Sequence, residues 1–375
     1  MAGRTGLLSA IGLMSGTSMD GIDVAHIRTD GLAIVERGSF RTYPYAPSTR
    51  RRMAQGLEDA RKIVRRTDRP GSLATLETEL TERHAAAVEA FLADTGLATG
   101  DLDLVGMHGQ TVLHRPEQAL TVQLGDAGVL ARALGVRIVH DMRQIDVEAG
   151  GQGAPLAPVY HRALAEGLHA PTTEGPIAFL NIGGVANITI VGSDLVAFDC
   201  GPGNAPLDDF VAARAGIPYD AGGRIASEGR YDTDVIGAVL DRPFFHAPYP
   251  KSLDRNDIAM PAGWSPDLSN GARTLTRLIA ESVARSLAIM PERPTRWIVT
   301  GGGARNPLVK DDLRELLAPA TVETADAAGL SADAMEAEAW AYLAVRVAKG
   351  LPISEPGTTG RRPLGDDRAK YGNWL

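Results

Sequence analysis

A single cysteine, Cys200, is all the thiol chemistry that the 375 residues contain. No disulfide framework and no thiolate zinc site can be built within one such chain. Basic side chains are outnumbered, 38 Lys and Arg against 46 Asp and Glu, for a net charge of −8. That argues against nucleic acid as the main partner, because its phosphates want a basic face. A nucleotide is a different matter, since a few backbone amides and Mg2+ suffice to hold one. No stretch reaches the ~18 consecutive apolar residues of a membrane span. The N-terminal apolar run Leu7–Met14 imitates a signal peptide but lacks a small-x-small cleavage site and passes straight into a Gly/Ser loop. It reads as a buried first strand, and the expectation is a cytoplasmic protein without a membrane partner. Asn187-Ile188-Thr189 matches a glycosylation acceptor only formally.

What is present is ordinary for a soluble globular chain, 44% hydrophobic and 22% charged residues with 42 Gly and 23 Pro. At about 150 residues per domain the length suggests two to three domains. Two segments share one grammar. Leu7–Arg28 reads apolar run, glycine turn, then alternating Ile22–Ile27, and Ile177–Val191 repeats the plan around Gly183 and Gly184. Each predicts a hairpin, and two hairpins opening two halves suggest a duplicated α/β unit. Between them, Leu76, Leu80, Ala87, Val88 and Phe91 recur at helical period over Ser72–Thr95. Leu104–Gly106 and Arg137–His140 read as strands feeding loops, with a helix over Gly125–Leu134. Further helices are expected over Thr274–Met290 and Asp333–Lys349, and a strand over Trp297–Thr300. The Gly/Pro-rich Ala149–Pro158 marks the expected crossing between domains, giving 1–146 plus 358–375 and 147–357.

Four motifs carry possible chemistry. In Gly12–Asp23 (GLMSGTSMDGID), glycines 16 and 21 and the hydroxyls of Ser15, Thr17 and Ser18 form donors suited to phosphate oxygens. Asp20 and Asp23 there suit Mg2+, while the bare pattern fits a tight hairpin turn equally well. Phe198-Asp199 ends an apolar strand before Gly201 and Gly203, where a carboxylate can take a proton from a nucleophile; an Asx-turn acid fits the same residues. Cys200 beside it reads as a packing residue. Gly301, Gly302 and Gly303 before Asn306 allow close backbone approach of a ligand, as would any glycine-rich loop. His108, in Gly106–Thr111, suits either a polar contact or a structural role.

In matching order, GLMSGTSMDGID, GMHGQT, TVQLGD, GGQGAPLAP, FLNIGGVANIT, FDCGPGN, PKS, TGGGARNP and AMEAEAWAY resemble the anhydro-N-acetylmuramic acid kinases, of the actin, hexokinase and heat-shock chaperone superfamily. Met107, Gln144, Ile145 and Leu253-Asp254 depart from residues common there. The resemblance implies two ribonuclease-H-like α/β domains facing a central cleft. It implies ATP-dependent hydrolytic opening of 1,6-anhydro-N-acetylmuramic acid with phosphorylation of O6, in cell-wall recycling. It also implies Asp199 as catalytic base. Gly16, Thr17, Ser18, Met19, Asp20, Gly21, Ile22 and Asp23 would form the ATP segment, with Gly183, Gly184, Gly301, Gly302, Gly303 and Asn306 near the nucleotide. His108 and Glu336 would face the sugar, and Mg2+ would sit at Asp20 and Asp23. A kinase of another sugar hydroxyl, a non-catalytic nucleotide binder and an ATP-independent glycosidase remain alternatives. Oligomeric state is not set by the sequence, and a homodimer is compatible with it.

Overall fold

The computed structural model describes residues 6–16, 18–168, 175–255, 257–362 and 373–374; Thr17 lies outside them. In chain order, strands β1 (Leu8–Ser15), β2 (Gly21–Thr29) and β3 (Val35–Pro44) are followed by helices α1 (Pro47–Ala60) and α2 (Leu73–Thr95). Then come β4 (Leu104–Arg115), β5 (Leu120–Leu124), α3 (Ala127–Leu134), β6 (Ile138–His140), α4 (Met142–Glu148) and α5 (Pro158–Leu168). A second series holds β7 (Ile177–Ile182), β8 (Val185–Val191), β9 (Leu195–Pro202), α6 (Ala205–Ala215), α7 (Thr233–Leu240), α8 (Pro243–His246), α9 (Leu268–Ser286), β10 (Arg296–Thr300), α10 (Pro307–Leu316) and β11 (Thr321–Thr324). The chain then closes with α11 (Met335–Ala348), α12 (Pro356–Thr359) and β12 (Asn373–Trp374).

Two compact units result, 1–167 with 333–375, and 168–332. The first carries the sheet order β12-β6-β4-β1-β2-β3, with β5 paired to β4. The second carries β11-β10-β7-β8-β9. In both, an antiparallel three-strand meander is extended from its first strand by parallel neighbours, β4 and β6 in one and β10 and β11 in the other. That is ribonuclease-H-like topology built twice, as the resemblance implies, and it contains the duplicated α/β unit that the two hairpins suggest. Each sheet has its own core. Ile11, Leu13, Ile22 and Val24 meet Leu73, Leu76, Leu80, Val88 and Phe91 of α2 in the first unit. Ile188, Ile190 and Phe198 meet Ile279 and Val283 of α9, and Trp297 and Val299 of β10, in the second. The apolar spacing in α2 thus lays one stripe on the sheet, and each fully buried Leu or Phe contributes roughly 1.5–3 kcal/mol.

The unit boundaries differ from the expected 146/147 and 357/358, and packing explains both. The carboxylate of Asp146 accepts from the Gly153 amide at 2.7 Å and the Thr359 hydroxyl at 2.9 Å, so the Gly-rich run is tied into the first unit. Beyond it, the Tyr160 hydroxyl of α5 donates to Glu338 of α11 at 2.8 Å, and α11 packs on β1, β2 and β4. The GMHGQT motif corrects another expectation. It lies inside β4, not in a loop after it, because Gly106, Met107 and Gln110 pair with β1 while Gln110 and Thr111 pair with β5 on the other side. No helix among the described residues is long and apolar enough to cross a membrane.

Candidate active site

The turn between β1 and β2 is built from its carbonyls inward. The Met19 amide donates to Gly16 O at 3.1 Å, and Met19 itself takes the left-handed φ of +53° that closes the turn. Gln110 Nε2 also reaches Gly16 O, at 3.2 Å, while Arg50 Nε donates to Met19 O at 2.9 Å and the Tyr45 amide to Asp20 O at 2.9 Å. Ser15 Oγ donates to Gln110 Oε1 at 2.6 Å. With these acceptors occupied by the unit's own groups, the loop is held in one shape. Its two glycines differ. A Cβ at Gly16 would meet nothing closer than 3.6 Å, whereas one at Gly21 would stand 2.7 Å from Tyr43 O, so Gly21 is demanded by the β2–β3 pairing. Ile22 is a core residue, 2% exposed.

Ser18 Oγ donates to Asp20 Oδ1 at 2.8 Å, and Thr42 Oγ1 to Asp23 Oδ1 at 2.5 Å. Burial lifts the Asp23 carboxyl above its usual range; the Thr42 hydrogen bond opposes this, and Asp20 and Asp333 add to it. Two hard carboxylate oxygen donors suit Mg2+, which commonly takes one or two carboxylates and completes its shell with phosphate and water. Among the described residues no group of three His, Cys, Asp or Glu side chains is placed to hold a metal, so any ion here would depend on that phosphate and water.

His108 is buried in β4, with both ring nitrogens engaged. Arg143 Nε donates to Nε2 at 2.9 Å, which fixes Nε2 as acceptor and makes Nδ1 the donor to Ser15 O at 3.1 Å. Burial, then the Arg143 charge, hold its pKa well below the ordinary value, so the ring is neutral. Trp340 lies against it, with centroids 4.6 Å apart. Glu336, one α11 turn before Trp340, is solvent-accessible at the rim of this group. Its carboxyl is raised by the surrounding protein and by Asp23 and Asp20, against the pull of Arg143.

In the second unit, Asp199 lies on β9 opposite Asn187 of β8. The 251–253 segment grips it from both ends: the Asp199 amide donates to Lys251 O at 3.0 Å, and the Leu253 amide to Asp199 Oδ2 at 2.8 Å. Burial pushes the Asp199 carboxyl up to about 6, against the Leu253 amide and the Lys251 charge. Lys251 Nζ is occupied elsewhere, donating to Phe244 O at 2.8 Å and lying over the Phe244 ring. Cys200 is buried, its thiol donates to Ala186 O, and burial raises its pKa far above the ordinary value, which suits packing and not nucleophilic attack.

The glycine turns of this unit gather at the ends of β7 and β10. Gly183 O accepts from the Asn204 amide at 2.7 Å, and Gly184 O from the Gly203 amide at 3.0 Å. Gly301 has φ +76°, and a Cβ there would meet Asn181 Oδ1 at 2.4 Å; one at Gly303 would meet Ile182 Cγ2 at 2.3 Å. Gly183, Gly184 and the exposed Gly302 keep open space, with nothing closer than 3.3 Å to a Cβ. Asn306 is different, a buried cap whose Oδ1 accepts from the Leu308 amide at 3.0 Å to start α10.

Residues 8–365 match the family described as anhydro-N-acetylmuramic acid kinase. The chain belongs to that family. The kinase of that description from Rhodopseudomonas palustris (strain BisB18) is 53% identical over 94% of this chain and 96% of its own. That from Nitrobacter winogradskyi is 52% identical over the same shares. Family membership makes the chain an ATP-dependent phosphotransferase acting on anhydro-N-acetylmuramic acid in cell-wall recycling. Among solved structures, component A of (R)-2-hydroxyglutaryl-CoA dehydratase from Acidaminococcus fermentans aligns over 90% of this chain and 99% of its own, with TM-score 0.45 and 11% identity. A ROK family glucokinase from Streptomyces griseus aligns over 88% and 99%, with TM-score 0.39 and 15% identity. Likeness at that level carries no weight for function.

Two contacts lie beyond what the sequence pattern marks: the backbone clamp of residues 251–253 on Asp199, and Arg143 on His108. A backbone amide carries no residue signature, so the Leu253 contact had no signal in the sequence. Arg143 had one, a lone basic residue beside a Gly-rich run.

Proposed function

We propose that Asp199 is the general base of the kinase reaction and that the Gly16–Asp23 turn, with Gly183, Gly184 and Gly302, receives the ATP phosphates. The observation that carries this is the Asp199 carboxyl, gripped at Oδ2 by the Leu253 amide and raised to about 6 by burial. A base with that affinity is ionised at neutral pH yet still able to take a proton. Asp199 removes a proton from water as the water oxygen bonds to C1 of the anhydro sugar. The C1–O6 bond breaks, O6 takes the γ-phosphoryl group of ATP, and ADP departs. No protein acid is needed for O6, because phosphoryl capture neutralises it, unlike the paired carboxylates of a plain glycosidase.

Within the phosphate turn the carbonyls are occupied by Gln110, Arg50 and Tyr45, which leaves donors for an anion. Asp20 and Asp23 are the residues that would hold Mg2+, and the ion would supply charge neutralisation at the phosphates. Glu336 faces the sugar. On this reading the reaction runs in the cytoplasm, where ATP is supplied. Turnover of ATP and the anhydro sugar in 18O water tests the scheme: the label is expected on the C1 hydroxyl of N-acetylmuramic acid 6-phosphate, with none in the phosphate ester. Label in phosphate would show water attacking ATP and would overturn it.

A further inference from the structure

Arg143 is placed by three neighbours, none of them an acid. Its Nε donates to His108 Nε2 at 2.9 Å, its Nη1 donates to Gly153 O at 2.9 Å, and its guanidinium carbon lies 5.2 Å from the Trp340 ring centroid. Among the described residues no carboxylate forms an ion pair with it; Glu336 and Asp146 act only as more distant charges. Burial outweighs both and brings the guanidinium down to about 10 from its ordinary value. A cation held rigidly in a desolvated recess without a counter-ion is costly in the free protein unless a ligand supplies the anion. Yet the group is not sealed, because part of the side chain reaches solvent. Nη2 is the nitrogen with no described acceptor. His108 serves as the fixed wall behind it: with Nδ1 donating to Ser15 O, its ring offers nothing to a ligand and instead holds the fork of Arg143.

We infer that Arg143 is the specificity-determining residue that takes the carboxylate of the substrate's lactyl ether, and that His108 and Trp340 position it. The inference rests on the sugar-kinase reading above. Muramic acid differs from glucosamine by that lactyl group, so a cation on the sugar side that meets its carboxylate would select muramic sugars. Arg143 belongs to the same unit as Glu336 and couples to it electrostatically. A planar guanidinium suits a carboxylate better than a point charge does.

The test compares 1,6-anhydro-N-acetylmuramic acid with the analogue whose lactyl carboxylate is converted to the primary amide, a near-isosteric change that removes the charge and turns one acceptor oxygen into an N–H donor. A site built around an ionic hydrogen bond should prefer the acid in kcat/KM by about a hundredfold. In Arg143→Gln, shown to be folded by circular dichroism, that ratio should collapse below about threefold, and in Arg143→Lys it should fall between the two. Equal use of acid and amide by the wild-type protein overturns the inference without any variant having to fold. So does a ratio that persists in Arg143→Gln, or a rise in KM for ATP with the ratio intact, which would give Arg143 to a phosphate. Failure of the wild-type protein to phosphorylate the acid at all would instead sink the kinase reading.

Discussion

Gly12 of β1 lies directly opposite Gly106 of β4, and the backbone of α11 crosses both. A Cβ on Gly12 would stand 1.9 Å from Ala337 O, and one on Gly106 would stand 2.3 Å from Trp340 O. Neither contact can be relieved by turning a side chain, since the obstacles are peptide oxygens. The sheet therefore carries α11 at backbone distance, and that closeness sets where Glu336 and Trp340 project. Small residues on the helix, Ala337, Ala341 and Ala344, complete the fit and are buried.

Alanine at either glycine should destabilise the first unit by at least the 1–3 kcal/mol typical of overpacking, about 2 kcal/mol or more. Thermal melts of Gly12→Ala and Gly106→Ala should both show a lowered Tm. The double variant should cost less than the two together, because one displacement of α11 accommodates both methyls. An unchanged Tm in either variant would mean that α11 does not sit this close.

The two turn glycines allow a cleaner separation of fold from ligand. Gly16→Ala has room, 3.6 Å to its nearest neighbour, so its Tm should stay within about a degree of wild type, as for an exposed surface change. Its KM for ATP should nevertheless rise about tenfold if phosphate approaches the backbone there. Gly21→Ala should do the reverse, losing stability against Tyr43 O and Pro44 before any nucleotide is added. Identical effects of the two substitutions on both measurements would dissolve the distinction.

Much of this was legible in the chain itself, and the reasons are physical. Both hairpins announced themselves because a strand reversal needs glycine between apolar runs, and α2 because its apolar residues recur at helical period. β3 carried no such mark: it is an exposed strand with Arg37, Arg41 and Glu36 among its residues, and only pairing with β2 makes it a strand. The unit boundary was misplaced because Gly151 and Gly153 look like a linker, while the buried carboxylate that anchors them, Asp146, is seven residues from Gly153 and reads as an ordinary helix acid. Asp199 could be singled out because an apolar run leads into it and glycines follow, although β9 does not end there as expected but continues in pairing with β8 to Pro202. What raises its proton affinity could not, since burial and a backbone amide leave no sequence trace.

That proton affinity gives a pH dependence with a definite sign. Asp199 must be ionised to act as base, so kcat/KM should be flat above about 6 and fall tenfold per pH unit below it. Stability should run the other way. The folded carboxyl binds its proton more tightly than an unfolded one, so its contribution is fully present below about 3.8 and is lost as pH rises to about 6. Asp199→Asn, which carries no charge to bury, should therefore melt above wild type at pH 8, with the gap closing at pH 4. A gap that widens in acid would show the carboxylate to be stabilised in the fold, contrary to its surroundings.

The chemistry of the same residue supplies the most direct test. Asparagine at 199 keeps the planar shape and can still accept the Leu253 amide hydrogen bond through its carbonyl oxygen. It cannot take a proton from water. Asp199→Asn should bind ATP and the anhydro sugar within about twofold of wild type by calorimetry, yet lose turnover by about a hundredfold to ten-thousandfold, the range for a missing general base. The acid limb near pH 6 should vanish from whatever activity remains. Added azide or formate, small anions able to accept a proton, should restore part of the rate in this variant and none in wild type. Near-normal turnover by a folded Asp199→Asn would remove Asp199 from the role and leave Glu336, whose carboxyl is also raised by the surrounding protein, as the next candidate.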